Sequence, residues 1–312
     1  MNAQVTALPP ASTRRRSSTA RRREALEGFL CITPWLLGFI LFTAGPMLAS
    51  VWLSLTDYEI LRPISFIGVQ NFTKAVNDPL FSKSLWNTAI YTVLYVPLHL
   101  ITALLAALLL NAKVRGIKTY RVIFYIPSIM PAVATAFLWM WIFNPNYGLA
   151  NALLDLVGLP PQKWLFDEAL AKPSFVLMAL WGLGSAMIVF LAGLQGVDPV
   201  LYEAADIDGA NTWVKFWRIT LPMLTPVLFF NLIIGIIGSF QVFTTAYIAT
   251  NGGPNNATLF YVLYIYNQGW KFAKMGYASA LAWVLFVIVL LLTLVQFKMA
   301  NRWVYYETGK AK

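Results

Sequence analysis

The residues with the most distinctive spacing in this chain lie in one polar segment, residues 198–222, between two hydrophobic stretches. The segment combines an acidic residue beside two small ones, a glycine, and apolar residues that end in a proline: Glu203, Ala204, Ala205, Gly209, Ile219, Leu221 and Pro222. Small residues at 204 and 205 allow another chain to approach closely. We therefore expect this segment, called the 198–222 loop below, to dock a partner. The alternative is a helix-turn-helix connector that touches nothing.

The expected structure of the 198–222 loop is two short helices separated by a turn. Asp198 can cap the free N–H groups of the first helix, whose first turn tolerates Pro199. Gly209 tolerates the positive φ of the break that follows. Asn211 or Thr212 can then cap the second helix. The apolar side of that helix carries Trp213, Phe216, Trp217 and Ile219.

This sequence contains few side chains that could act in catalysis or bind a metal ion. It contains one histidine, His99, and one cysteine, Cys31, which excludes a disulfide within the chain and a cysteine-based metal site. The hydrophobic stretches contain no Asp, Glu, Lys or Arg, so they offer no paired carboxylates. The phosphate-binding pattern Gly-x4-Gly-Lys-Ser/Thr does not occur. We therefore expect no catalytic residue, no metal site and no cofactor bound by this chain.

Composition indicates an integral membrane protein. Of the 312 residues, 59% are hydrophobic and 12% are charged, and the mean hydropathy is +0.64, whereas a soluble domain carries roughly twice that charge. Six stretches are long and apolar enough to cross a bilayer, which takes about 20 residues. They are residues 29–55, 87–110, 122–143, 174–197, 224–250 and 276–297. The predicted fold is all-α, with six transmembrane helices in one domain over residues 29–298.

The distribution of basic residues predicts the orientation in the membrane. Sixteen of the 23 Lys and Arg residues fall in the termini and in the segments on the side of the 198–222 loop, and seven fall on the other side. The positive-inside rule then places both termini and this loop in the cytoplasm. Residues 1–28 are expected to be a disordered basic segment that serves as a topology signal or contacts anionic lipid rather than nucleic acid. Residues 299–312 are expected to be a cytoplasmic tail. The first helix is expected to be broken or kinked at Gly45-Pro46.

The spacing Glu-Ala-Ala-x3-Gly-x9-Ile-x-Leu-Pro in the 198–222 loop resembles the loop that marks permease subunits of binding-protein-dependent ABC importers. Further segments are similar to the carbohydrate-uptake branch of that family, the maltose and glycerol-3-phosphate type. They are residues 66–72, 125–127, 141–151, 250–254 and 276–280. The resemblance extends over roughly residues 34–296. It implies a type I ABC importer permease fold in a bacterial plasma (inner) membrane.

The resemblance also implies a set of partners. They are a homologous second permease subunit, two ABC ATPase subunits that bind ATP and magnesium, an extracytoplasmic solute-binding protein, and a sugar or related polyol. In that family the loop enters a cleft of the ATPase, which implies an ion pair between Glu203 and a basic residue there. The alternative for Glu203 is a solvated acid, or a local ion pair with Lys215 or Arg218 worth under about 1 kcal/mol. Gly252-Gly253-Pro254 is expected to form a rigid outer turn where the binding protein docks.

A translocation path for an uncharged polyol should be lined by neutral hydrogen-bonding groups and aromatic faces. The candidates are Trp181, Ser185, Asn231, Ser239 and Gln241. Asn231, Gly235 and Ser239 recur every four residues and form one stripe of the fifth helix, for which packing between helices is the alternative role. A second functional class is an ion- or proton-coupled secondary transporter, although such proteins usually place ionisable residues inside the membrane.

Overall fold

The structure, a computed structural model, is built from helices. It describes residues 18–60, 62–112 and 114–305, with side chains from Arg22 onward. Within these residues, strand pairing is limited to two isolated bridges, Thr56–Phe66 and Glu59–Lys274. The all-α prediction is therefore confirmed. The chain divides into two compact units, Met1–Trp52 and Leu53–Lys312.

The described part of the first unit is most of one long helix. Helix α1, Ser18–Phe39, continues through a π-helical turn, Ile40–Ala44, into α2, Gly45–Ser54. The Gly45 N–H donates to the Ile40 carbonyl, and this wider turn lets the helix pass Pro46, which has no N–H. At the predicted break the helix thus changes to a π turn and continues.

The other helices belong to the second unit. They are α3 Gln70–Val76, α4 Pro79–Leu110, α5 Ile117–Tyr125, α6 Ala132–Ile142, α7 Leu149–Leu156, α8 Ala171–Leu180, α9 Gly184–Gln195, α10 Pro199–Ile207, α11 Thr212–Lys215, α12 Leu221–Met223, α13 Thr225–Phe240, α14 Thr244–Ala249, α15 Tyr261–Tyr266 and α16 Met275–Trp303. A 3₁₀ turn, Ile126–Ile129, follows α5, and another, Trp164–Phe166, precedes α8. Two π turns, Phe216–Thr220 and Asn267–Lys271, follow α11 and α15.

Four helical stretches are long and apolar enough to cross a membrane. They are Arg22–Ser54, Pro79–Leu110, Thr225–Ala249 and Met275–Trp303. Two bent pairs qualify only together: α5 with its 3₁₀ turn meets α6 at 98°, and α8 meets α9 at 49°. The described residues thus hold four spans, or six if each bent pair is one span. These bends correct the continuous helices predicted for residues 122–143 and 174–197.

Proline and glycine explain the two bends. Pro127 and Pro131 lack a backbone N–H, and Met130 is extended, with ψ of 138°, which is the conformation that a following proline favours. In the other pair, Gly184 lies directly against α5, since a Cβ there would be 2.7 Å from the Phe124 carbonyl oxygen. Hydropathy does not detect such breaks, because the flanking residues remain apolar.

Several helix ends differ from the prediction. Helix α4 begins at Pro79 rather than at residue 87, because Asp78 accepts a hydrogen bond from Leu80 N at 2.9 Å and caps the helix. Residues 1–17 and 306–312, which include most of the predicted disordered segment and tail, lie outside the described residues. Residues 18–28 are helical rather than disordered, and an ion pair of 2.9 Å between Arg23 and Glu27 supports this turn. Helix α16 continues past residue 298 to Trp303.

Helix α4 is the central helix of the second unit and contacts α8, α9 and α13. Its alanines Ala103, Ala106 and Ala107 are buried in one cluster with α9, where small side chains let the helices approach closely. Nearer its N-terminus, Tyr91 is buried in a second cluster that includes Phe260 and residues of α8, α15 and α16. Helix α4 therefore fixes the positions of the bent pair α8–α9 and of α13.

Candidate functional site

The 198–222 loop has the predicted two-helix form. Asp198 accepts a hydrogen bond from Val200 N at 2.9 Å and caps α10. Asn211 accepts one from Val214 N at 2.9 Å and caps α11. Between the helices, Gly209 has φ of +73°, the left-handed conformation that glycine adopts without strain. The predicted caps and turn are confirmed.

Two contacts that the sequence did not predict hold this loop together. The hydroxyl groups of Tyr202 and Thr220 lie 2.9 Å apart and share a hydrogen bond. Lys215 forms an ion pair with Asp206, so its charge is engaged away from Glu203. Glu203 is exposed, and among the residues that the structure describes it has no ion-pair or hydrogen-bond partner.

The 198–222 loop also exposes large apolar side chains. Ile207, Trp213 and Trp217 are 89%, 69% and 51% exposed, and the two indole rings pack edge to face at 5.7 Å. On the predicted apolar side of the second helix, this chain thus leaves Trp213 and Trp217 exposed, whereas Phe216 and Ile219 are half-buried. Exposed aromatic groups in the same loop as an unpaired carboxylate are the chemistry of a docking surface.

Of the remaining predicted loop residues, some are accessible to a partner and others join the loop to the next helix. Ala204 is exposed and Ala205 is half-buried on α10, so a partner can approach this helix. Ile219, Leu221 and Pro222 are half-buried where the π turn joins α12. These three residues connect the loop to the start of α13.

A cavity of about 230 Å³, called the break cavity below, lies where three apolar helical stretches are interrupted. The interruptions are the turn between α5 and α6, the bend between α8 and α9, and the gap between α13 and α14. Each contributes lining residues, and α4 contributes one more. The lining includes Tyr91, Pro127, Ser128, Thr135, Trp181, Ser185, Val242 and Thr245.

The break cavity offers neutral hydrogen-bonding groups and aromatic faces, and none of its described lining residues is charged. The hydroxyl groups of Thr135, Ser185 and Thr245 have no hydrogen-bond partner within the described residues. Trp181 packs edge to face on Trp139 at 6.0 Å, and Trp139 Nε1 is buried without a partner. Such a lining can hold the hydroxyl groups and ring faces of a neutral ligand.

The predicted path residues separate into two groups: Trp181 and Ser185 line the break cavity, whereas Asn231, Ser239 and Gln241 lie outside it. Asn231 is buried, and its Nδ2 donates to Val227 O within α13 at 3.0 Å. Ser239 accepts a hydrogen bond from Thr92 Oγ1 at 2.9 Å across the α4–α13 interface. Gln241 is exposed at the end of α13. In this conformation Asn231 and Ser239 contribute to helix packing.

Sequence reasoning missed three polar lining residues, Tyr91, Ser128 and Thr135. For Ser128 a signal was available, since Pro127 and Pro131 bracket the turn that carries it. Prolines that close an apolar stretch on both sides of a polar residue mark a place where a span can open and expose polar groups inside the protein. Tyr91 has no such signal, because it lies on an unbroken part of α4.

The segment that follows the Gly252-Gly253-Pro254 turn is held by side chains from two other helices. Two donors from α4 and one from α8 bond to the carbonyl oxygens of residues 255–257. They are Lys83, Asn87 and Lys172, at donor–acceptor distances of 2.5, 2.7 and 3.2 Å. The loop that follows the fifth span is therefore fixed to α4 and α8.

The fold and the break cavity define a class of protein, a multi-pass membrane protein whose discontinuous helices surround a small polar cavity, as in membrane transporters. A sequence profile of the family described as "Binding-protein-dependent transport system inner membrane component" matches residues 99–304. The chain belongs to this family. The resemblance drawn from the 198–222 loop is confirmed.

Relatives with named functions match along nearly the whole chain. The Probable ABC transporter permease protein YesP of Bacillus subtilis is 42% identical over 94% of this chain and 96% of its own. The Arabinooligosaccharides transport system permease protein AraP of the same organism is 37% identical over 88% of each. The Trehalose/maltose transport system permease protein MalF of Thermococcus litoralis is 34% identical over 91% of this chain and 97% of its own.

A solved structure shows the same fold. It is a chain of a bacterial alginate ABC transporter, crystallised in complex with an alginate pentasaccharide-bound periplasmic protein. The TM-score is 0.80 at 25% identity, over 91% of this chain and 96% of the other. This similarity in overall fold confirms the predicted type I ABC permease fold.

Proposed function

We propose that this chain is the permease subunit of an ATP-driven importer for a sugar or related polyol. The break cavity carries the proposal, because it is a neutral space of about 230 Å³, with free hydroxyl groups and an indole wall, at the interruptions of three spans. Transporters bind substrates at such interruptions, where polar groups become available inside the protein. The names of the relatives, for arabinooligosaccharides and for trehalose or maltose, favour a saccharide.

The 198–222 loop couples this chain to separate ATPase subunits in our proposal. Its support is the exposed and unpaired Glu203 together with the exposed rings of Trp213 and Trp217. Two ATPase copies bind ATP and magnesium, so this chain binds no cofactor itself. Closure of the ATPases moves the docked loops and reorients the helices, which gives alternating access to the break cavity.

The assembly that we propose also contains a homologous second permease and an extracytoplasmic solute-binding protein, which docks near residues 252–257. The uncovered apolar faces of the spans contact membrane lipid. The asymmetry of basic residues supports an orientation in a bacterial plasma (inner) membrane with both termini and the 198–222 loop in the cytoplasm.

Uptake into sealed vesicles that contain the assembled importer tests this function. Maltotriose or arabinotriose uptake should require ATP on the side of the 198–222 loop, and it should continue when a protonophore collapses ion gradients. Ser185→Trp, which fills the break cavity, should abolish uptake while the other subunits still co-purify. Uptake driven by an ion gradient without ATP would establish the secondary-transporter alternative, and parental uptake by Ser185→Trp would exclude the break cavity as the path.

A further inference from the structure

We infer a second saccharide-binding site at the end of the fifth span that is far from the 198–222 loop. A pocket of about 320 Å³ lies there and shares no lining residue with the break cavity. It is lined by Tyr247, Asn251, Tyr266, Asn267, Trp270 and Lys271. We call it the distal pocket. The inference rests on the proposed function, since it concerns the same class of ligand.

The position of the distal pocket follows from the order of the spans. The fifth span, Thr225–Ala249, begins directly after the 198–222 loop and ends two residues beyond Tyr247. Asn251 lies just past that end, and the π turn Asn267–Lys271 lies shortly before the sixth span begins at Met275. A ligand therefore reaches the distal pocket from the side of the membrane opposite to the 198–222 loop.

Aromatic rings supply the apolar part of the distal pocket. Trp270 and Tyr247 are 70% and 43% exposed, so this chain leaves their rings uncovered. The rings of Tyr247 and Tyr266 pack at 5.3 Å, and Phe243 contacts them at 5.6 and 4.9 Å from outside the pocket. Rings that are held by neighbours and open on one side suit the apolar face of a sugar ring.

Two asparagine side chains supply the polar part of the distal pocket. Asn267 lines the pocket, and its Oδ1 is a buried acceptor without a hydrogen-bond partner within the described residues. Asn267 also begins a π turn, a distortion that is frequent at functional sites. The Asn251 backbone N–H donates to Ala246 O at 2.8 Å, which fixes the backbone at this second asparagine. Lys271 lines the same pocket and is exposed, so a reporter group at this position is accessible from solution.

These groups fit one sugar unit of an incoming saccharide. The rings take its apolar face, and the two asparagine side chains take its hydroxyl groups. An aromatic belt at the membrane surface would explain exposed Trp and Tyr side chains. It would not explain the unsatisfied acceptor of Asn267, which calls for a hydroxyl or N–H donor.

The distal pocket and the break cavity share a structural element. Thr245 lines the break cavity and Tyr247 lines the distal pocket, two residues apart on the short helix α14. Side chains two positions apart on a helix point to different faces, so α14 separates the two sites. A saccharide in the distal pocket thus contacts the helix that forms one wall of the break cavity.

Thiol protection in the full-length chain, reconstituted in lipid nanodiscs, tests the inference. Cys31→Ser removes the only native thiol, and single cysteines then report on three places. Lys271→Cys reports on the distal pocket, Ser185→Cys on the break cavity, and Trp86→Cys on an exposed aromatic position outside both. The probes are maltotriose and arabinotriose. At a sugar concentration about three times the Kd of the reporter variant itself, the empty fraction falls about fourfold, so maleimide labelling of Lys271→Cys should slow about fourfold.

The matched controls separate this site from its alternatives. Labelling of Trp86→Cys should not respond to either sugar. Adding Asn267→Leu or Trp270→Ala should remove the protection of Lys271→Cys and leave that of Ser185→Cys. If sugar protects Ser185→Cys but not Lys271→Cys, the distal site is overturned and the proposed function stands. If sugar protects neither cysteine, both the distal site and the proposed function are contradicted. Labelling of Lys271→Cys that follows the phosphatidylglycerol content of the nanodisc and ignores sugar would assign the pocket to lipid and overturn the inference.

Discussion

The 198–222 loop and the break cavity are built in different ways. The form of the loop is determined by neighbouring residues. Asp198 and Asn211 each accept a hydrogen bond from a backbone N–H two or three residues later, and Gly209 makes the turn between the helices. The break cavity is assembled from α4 and three interrupted spans that lie far apart in sequence. A change inside the loop should therefore act on the loop alone. A change in any helix around the cavity should alter its shape.

Two glycines show the same contrast. Gly209 has open space where a Cβ would lie, but its φ is +73°, so its requirement is conformational. Gly184 meets the opposite constraint, since a Cβ would lie 2.7 Å from the Phe124 carbonyl oxygen and 2.8 Å from Tyr125 Cα. The first requirement can be recognised from neighbouring residues, and the second only from the packed structure.

The largest effect is expected for Glu203→Lys in the loop. If Glu203 pairs with a basic residue of an ATPase, reversing its charge should weaken ATPase binding by about 2–5 kcal/mol. Co-purification of the ATPase and ATP-dependent uptake should both fall, while docking of the solute-binding protein should remain. Asp208→Lys makes the same charge change at an exposed position of the same loop and should act much less. Equal losses for both variants would show that only the net charge of the loop matters.

Gly184→Ala should have the next largest effect, and it should act on the cavity. The new methyl group forces α5 and α9 apart, at a cost of about 1–3 kcal/mol. We expect a lower unfolding temperature of the purified protein and slower uptake. Gly238→Ala in α13 is the control, because nothing lies within 4 Å of its Cβ position. If the two variants unfold at the same temperature, the contact between Gly184 and α5 does not determine the bend.

Gly209→Ala should have a smaller effect, because the backbone strain that it introduces is limited to the loop. An alanine at positive φ is strained by about 1–2 kcal/mol, so the turn should shift while the spans stay folded. The expected result is reduced uptake at parental abundance and unfolding temperature. Gly196→Ala, just before the loop at φ of −83°, should leave uptake unchanged. A fall in unfolding temperature for Gly209→Ala would mean that the loop is not independent of the spans.

Ser185→Ala and Ser239→Ala should distinguish substrate contact from helix packing. Loss of one neutral hydrogen bond is worth about 0.5–1.5 kcal/mol, so Ser185→Ala should raise the KM for uptake roughly 2- to 10-fold without changing stability. Ser239→Ala removes the bond to Thr92 and should lower the unfolding temperature without changing KM. The opposite assignment of these two effects would place the path along the α13 stripe instead of in the break cavity.

The smallest effect concerns pH at Asp78, which belongs to neither region. Burial raises the pKa of its carboxyl group, but hydrogen bonds from Tyr264, Leu80 N and Tyr277 outweigh burial and hold the pKa below the ordinary value of 3.8. This carboxylate therefore stabilises the fold above that value, and the stabilisation is lost as the pH falls through the lowered pKa. Asp78→Asn should unfold at a lower temperature than the parent at neutral pH, and the difference should shrink below pH 3.8. A constant difference across this range would mean that the charge of Asp78 contributes nothing.

The sequence predicted what depends on neighbouring residues. Hydropathy located the long apolar helices, and Asp198, Gly209 and Asn211 predicted the form of the loop. The bends were missed, because an apolar stretch has the same hydropathy whether its helix is straight or broken. The stripe of Asn231 and Ser239 illustrates a second limit: periodicity identifies a polar face of a helix but not what that face contacts.

Contacts between distant segments account for the rest. The ion pair of Lys215 with Asp206 and the hydrogen bond of Tyr202 with Thr220 depend on how two short helices fold back on each other. Tyr91 reaches the break cavity only because α4 is surrounded by the interrupted spans. Such positions follow from tertiary packing, which local propensity does not determine.

The loop after the fifth span has a mechanical consequence. Because Lys83, Asn87 and Lys172 already hold the carbonyl oxygens of residues 255–257, a protein that docks there meets a preorganised surface. It would avoid much of the ordering entropy that association otherwise requires, about 0.5–1.5 kcal/mol for each immobilised side chain. The same three donors connect the loop to α4 and α8, which both line the break cavity. A displacement of this loop would therefore be transmitted to the wall of the break cavity through these three hydrogen bonds.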